Sequence, residues 1–123
     1  MAEGGVRVSA ELRQALADAV NPVLGGPKKC APYYRQSAKP GDAWVSFGRL
    51  DRDDTRLGFM ESWSVRVVLA QDLATAEEWA DENTAALVEA LSEHLTITAV
   101  VMVTLAMDTG NIPGMVVEGV RPN

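Results

Sequence analysis

The sequence predicts an α+β fold: a single four-stranded, mostly antiparallel sheet with helices packed on one face, in the order α-β-β-α-β-β. Three observations carry this expectation. Segments 9–21 and 75–94 repeat apolar residues at helical spacing. Segments 43–50 and 59–70 are strand-like and flank a polar turn. Segments 97–107 and 115–120 follow the second helix and are rich in Val, Ile and Thr. Two hairpins joined by a helix make one sheet beneath a helical layer.

Each element has its own signals. Ser9 reads as an N-cap, and Glu11 sits where the helix dipole favours an acid. Leu12, Leu16, Ala19 and Val20 form one apolar stripe. Pro22 biases Asn21 away from helix, so the first helix is predicted to stop there. Residues 22–42 hold Pro22, Pro27, Pro32, Pro40, Gly25, Gly26 and Gly41, which predicts a long loop. A connection of about 20 residues exceeds what compact domains need, and such loops carry function or become ordered on a partner. This one sets Lys28, Lys29, Arg35 and Lys39 beside Tyr33 and Tyr34. It reads equally as a basic, aromatic contact arm and as a solvated loop whose tyrosines fold onto the core.

In 43–50, Val45 and Phe47 share a face and Trp44 takes the other. In 59–70, Trp63, Val65, Val67 and Leu69 form the apolar face, opposite Ser62, Ser64 and Arg66. Residues 51–58 form the polar turn between them. Thr75 and Glu78 read as a capping box. Trp79, Asn83, Ala86, Leu87, Ala90, Leu91 and His94 then keep to one side of an amphipathic, acidic helix. Ile97–Met107 is apolar on both faces and reads as a central strand. Residues 108–114 read as a turn, Met115–Val120 as the last strand, and 121–123 as a tail.

The 123 residues suit one domain, 1–123, with the Pro/Gly-rich loop at 22–42. Apolar residues at 47% and charged residues at 23% are an ordinary globular composition. The net charge of −6 is unevenly spread. Residues 1–66 carry 10 Lys/Arg against 8 Asp/Glu, a balance of +2. Residues 67–120 carry no Lys or Arg and 9 acids, and Arg121 adds the last +1. This acidity argues against a free-standing nucleic-acid binder, whose affinity comes largely from Lys/Arg on phosphates. No run approaches the ~18 apolar residues of a membrane span, and the opening residues do not resemble a signal peptide. The single cysteine, Cys30, leaves no intrachain disulfide and suggests synthesis in a reduced, cytoplasmic setting.

No catalytic, metal or cofactor-binding constellation emerges. His94 is the only histidine and reads as a helix C-terminal residue near the dipole. Cys30 has no base beside it in sequence. Asp51-Arg52-Asp53-Asp54 opens like a calcium loop but lacks the glycine at position six and the glutamate at twelve. Gly25-Gly26-Pro27-Lys28-Lys29 lacks phosphate-loop spacing, and its proline removes a backbone donor. The acids of 75–94 have no lysine or arginine partners, and Glu78/Glu82 and Glu89/Glu93 repel at four-residue spacing. Basic residues of another chain would relieve that repulsion.

The stretch from Trp63 through Leu69, the Asp72–Trp79 helix start, the Ile97–Met107 strand and the closing residues Val116 to Pro122 resemble the tail terminator proteins of long-tailed bacteriophages. These are also called tail completion or minor tail proteins. The resemblance covers the chain from about residue 43, with the first helix in outline, and rests on length, element order and texture. It implies a structural protein and not an enzyme, with no cofactor. Family members form hexameric rings that cap the tail tube, end its polymerisation and present a surface to the head-side connector. Partners would be further copies of the chain, the major tail tube protein and the connector. DNA would pass through the lumen without specific binding, with no membrane involved. The implied location is the head-proximal end of the tail in the virion, after synthesis in the host cytoplasm. A neighbouring head–tail connector or head-completion protein fits the same features. A small α+β ligand-binding or enzyme domain is the alternative from another class.

The candidate subunit or tail-tube contacts are Glu78, Glu82 and Glu89, set against Arg49, Arg52 and Arg56 or Lys28 and Lys29 of a neighbour. The acids could instead line a lumen that repels DNA. If they meet a neighbour, assembly weakens as salt rises, and Glu78→Lys combined with Glu82→Lys impairs it. Sedimentation across a salt series checks this, and unchanged assembly of the double variant removes the contact.

Overall fold

The computed structural model describes residues 10–35, 39–53, 58–108 and 110–122. Its elements are α1 (Ala10–Leu24), β1 (Cys30–Ala31), β2 (Ala43–Asp53), β3 (Gly58–Val68), α2 (Leu73–Ser92), β4 (Thr96–Met107) and β5 (Gly110–Pro122). They form one five-stranded sheet in the order β1-β2-β3-β5-β4. All neighbours pair antiparallel except β1, which runs parallel to β2. The fold is therefore α+β as predicted, but with five strands in place of four. The extra one, β1, is a two-residue strand inside the segment expected to be loop. It is held where Ala43 N–H donates to Lys29 O at 2.9 Å and Cys30 N–H donates to Asn21 Oδ1 at 2.7 Å.

The sheet has two unlike faces because its strands alternate side chains. Val45, Trp63, Val65, Val67, Met115 and Val117 form one face. Leu12, Leu16, Ala17 and Val20 of α1 and Ala76, Ala80, Leu87 and Leu91 of α2 close over it. Both helices thus pack on the same face. α1 contacts β1 and β2, and α2 contacts β5 and β4. On the helix-free face a smaller cluster gathers Trp44, Val68, Leu105, Met107 and Ile112.

Four local expectations are corrected. First, α1 does not stop at Asn21 but runs through Pro22 to Leu24. One missing donor in the last turn is tolerable, and the true stop is Gly25 at φ +96°. Its N–H donates to Pro22 O at 3.2 Å, while Gly26 N–H reaches Asn21 O at 3.2 Å, the bonding of a glycine-terminated helix end. Second, α2 begins two residues early. Its N-cap is Asp72, whose carboxylate accepts from Thr75 N–H at 3.0 Å and Thr75 Oγ1 at 2.6 Å. Those bonds, the hydroxyl's first, hold the Asp72 carboxyl below its usual range. The cap's contribution is therefore complete above the usual aspartate range and fades as the pH falls through the lowered value. Third, the strands of both hairpins run into the segments read as turns. β2 and β3 pair out to Asp53↔Gly58, and β5 begins at Gly110 and extends through Arg121 to Pro122. The predicted Ser9 cap lies outside the described residues. The fourth correction matters most for function: Ile97–Met107 is not central. β3 is the central strand, β5 lies between it and β4, and β4 is an edge.

Helix α2 ends at Ser92, so His94 lies beyond it, its N–H closing on Leu91 O at 3.0 Å. Among the described residues no helix is long and apolar enough to cross a membrane.

Gly119 pairs in register with Trp63, and a Cβ there would come within 2.9 Å of Leu95 Cβ and 3.0 Å of Thr96 O. Backbone and a branched core side chain cannot both yield. Gly119→Ala is expected to destabilise the fold by about 1–3 kcal/mol. A fall in urea midpoint at unchanged slope checks it.

Candidate functional site

The outer edge of β4 is the first candidate surface. Among the described residues no strand pairs with it, so its outward N–H and C=O groups are available. The edge is also apolar. Val100 keeps 36% of its surface exposed, and Val101 and Met102 each keep 42%. The register places Val100 and Met102 opposite Val117 and Met115 on the helical face, and Val101 opposite Val116 on the other face. Exposed Leu73, at the start of α2, joins Met102, Val103 and Thr104 around one shallow depression with Asn111 and Pro113. The sequence marked this segment as apolar on both faces. It did not show that no strand would cover its outer side.

α2, which borders this edge, carries the acids. Glu78, Glu82 and Glu89 are exposed, as are Glu77, Asp81 and Glu93. None is held by an ion pair among the described residues. The edge is thus an apolar strip beside unneutralised negative charge.

The β1 side of the sheet has the opposite character. Lys28, at φ +65°, and Lys39 are exposed, and Lys29 is half-buried. Arg35 reaches Asp42 at 3.6 Å. Tyr33 and Tyr34 are 57% and 58% exposed, yet both are anchored. The Arg13 guanidinium lies 4.4 Å from the Tyr33 ring centre, and the Tyr34 ring meets Trp44 edge-on at 5.0 Å. Arg13 also donates to Pro32 O at 2.8 Å and Val45 O at 3.2 Å, tying this arm to α1 and β2. The arm is thus anchored through Arg13 and Trp44 while its basic and aromatic groups stay largely exposed.

Arg49 and Arg52 of the β2–β3 hairpin are engaged within the chain. Arg49 pairs with Asp51 at 2.8 Å, and Arg52 lies 5.2 Å from the Phe59 ring centre. Arg56 lies outside the described residues. The structure therefore brings Glu78, Glu82 and Glu89 together on one helix and Lys28 and Lys29 together on one arm. The two groups sit toward opposite sides of the sheet.

Sequence reasoning missed a buried ion pair. Glu61 is fully buried, and its Oε1 accepts from Trp63 Nε1 at 2.8 Å and from Arg121 Nε at 2.9 Å. A signal was present: Glu61 stands two residues before Trp63, on the same alternating face as Val65 and Val67. The pair stitches β3 to β5. On the helix-free face, Arg49, Ser62, Ser64, Arg66, Thr98 and Glu118 line an open trough of about 440 Å³, mixed in charge. Cys30 is buried in the core, and burial pushes its thiol up to about 12, Arg35 offsetting this in part. Burial therefore disfavours its thiolate near neutral pH. Among the described residues no group of three or more His, Cys, Asp or Glu could hold a metal ion.

Arg121→Met withdraws a charged donor from the buried Glu61 carboxylate. A loss of about 2–3 kcal/mol is expected, discounted from a fully buried pair because Arg121 is partly exposed. Chemical denaturation of the variant measures it. Neither the protein-family models nor the curated proteins compared with the chain match it.

Proposed function

We propose that this chain is a structural subunit of a phage tail terminator: a homo-oligomeric ring, most simply a hexamer, that caps the tail tube. The observation that carries this reading is the placement of β4. A twelve-residue apolar strand is left as a sheet edge beside an acidic helix whose charges have no ion-pair partners among the described residues. Such an edge is a pairing or docking surface for another protein. The resemblance of the C-terminal half to tail terminators supplies the kind of assembly. Opposite sides of the sheet differ in charge, which suits a head-to-tail contact that closes into a ring.

In this role the ring ends tube polymerisation and offers its other surface to the head-side connector. It occupies the head-proximal end of the tail after synthesis in the host cytoplasm. DNA passes through the lumen without sequence-specific contacts. The function is mechanical, with no catalytic step, metal or cofactor.

Light scattering of the purified chain, alone and with tail tubes, tests the reading. A hexamer, or a monomer that becomes hexameric on tubes and halts their lengthening, is expected. A stable monomer or dimer that neither binds tubes nor stops their growth overturns it.

A further inference from the structure

We infer that the arm spanning residues 28–35 of one copy docks on the outer edge of β4 in the next copy. The inference rests on the self-assembly reading above and names the seam. The large apolar side chains described as exposed fall into two groups: Tyr33 and Tyr34 on the arm, and Leu73, Val100, Val101 and Met102 at the β4 side. The groups sit toward opposite sides of one sheet, so one molecule can offer one while receiving the other.

Charge selects the pairing. Lys28 and Lys29 flank the tyrosines in sequence, and acidic α2 borders β4. Docking the arm on the edge puts lysines near Glu and Asp side chains that have no ion-pair partner among the described residues. The obvious competitor is β4 pairing with β4 of a second copy. That arrangement brings two acidic helices toward each other and is opposed by like-charge repulsion.

The arm is also prepared for the contact. Arg13 over Tyr33, Trp44 against Tyr34, and the Arg13 bonds to Pro32 O and Val45 O already fix it. Less conformational freedom is then lost on binding, and tyrosines give a large contact area with few rotatable bonds. Because the two surfaces differ, the contact is heterologous. It propagates in one direction around a ring and leaves no protomer with both surfaces free.

Single-cysteine placement in the full chain tests the seam. Tyr33→Cys and Met102→Cys are prepared separately, and buried Cys30 is left in place. Under mild oxidation, a mixture of the two variants is expected to give a disulfide-linked dimer, while each variant alone gives none. Met102→Cys linking to itself would establish edge-to-edge pairing and overturn this seam while sparing the self-assembly reading. A mixture that assembles normally by light scattering but never cross-links would do the same. Wild-type protein that stays monomeric, alone and on tubes, removes both. As a second variant, Met102→Lys is expected to weaken self-association about tenfold or more without changing the circular dichroism spectrum. Association unchanged in that variant overturns the seam.

Discussion

Trp63 is the largest fully buried side chain in the described structure, and its burial is possible only because its indole N–H has an acceptor in the dry interior. That acceptor is Glu61, a carboxylate that itself requires the Arg121 guanidinium. The requirement fixes which strands are neighbours. Glu61 and Trp63 lie on β3 and Arg121 lies on β5, so β3 and β5 pair at the middle of the sheet. Phe47 packs on the same indole at 5.2 Å, and Arg13 approaches it at 5.3 Å from the helical layer. One aromatic ring thus organises β2, β3, β5 and α1. β4, last in the order, is left at the rim.

Much of this was written in local pattern. The alternation through Trp63, Val65 and Val67 against Ser62, Ser64 and Arg66 predicts the face that the helices cover, and the structure keeps it. The opposed faces of Val45 and Trp44 likewise hold, since each joins a different apolar cluster. What local pattern could not carry was position within the sheet. A strand apolar on both faces reads as central because most such strands are covered on both sides. Ile97–Met107 has that composition without that coverage. β1 was unreadable for another reason. Two residues have no periodicity, and their pairing depends on a side chain of Asn21 and a backbone bond from Ala43. The candidate surface was legible as charge and not as shape: the acids and lysines stood out, while the exposed valines and methionine that join them looked like core.

The distribution of ion pairs gives the charges their meaning. A chain stabilising itself on its surface would set acids near bases, as Arg49 and Asp51 do. α2 does the reverse, concentrating acids with no basic residue along its length. Stability there comes from the apolar stripe of Ala76, Ala80, Leu87 and Leu91, and the acidic side is held at a modest electrostatic cost.

The bare rim of β4 also bears on the interval between folding and use. An uncovered run of Val100, Val101 and Met102 on an open strand is a template for any extended chain nearby, a nascent copy included. A lone molecule with such an edge is exposed to self-pairing as its concentration rises. Concentration is then the variable that bears most directly on how long the folded chain stays dispersed.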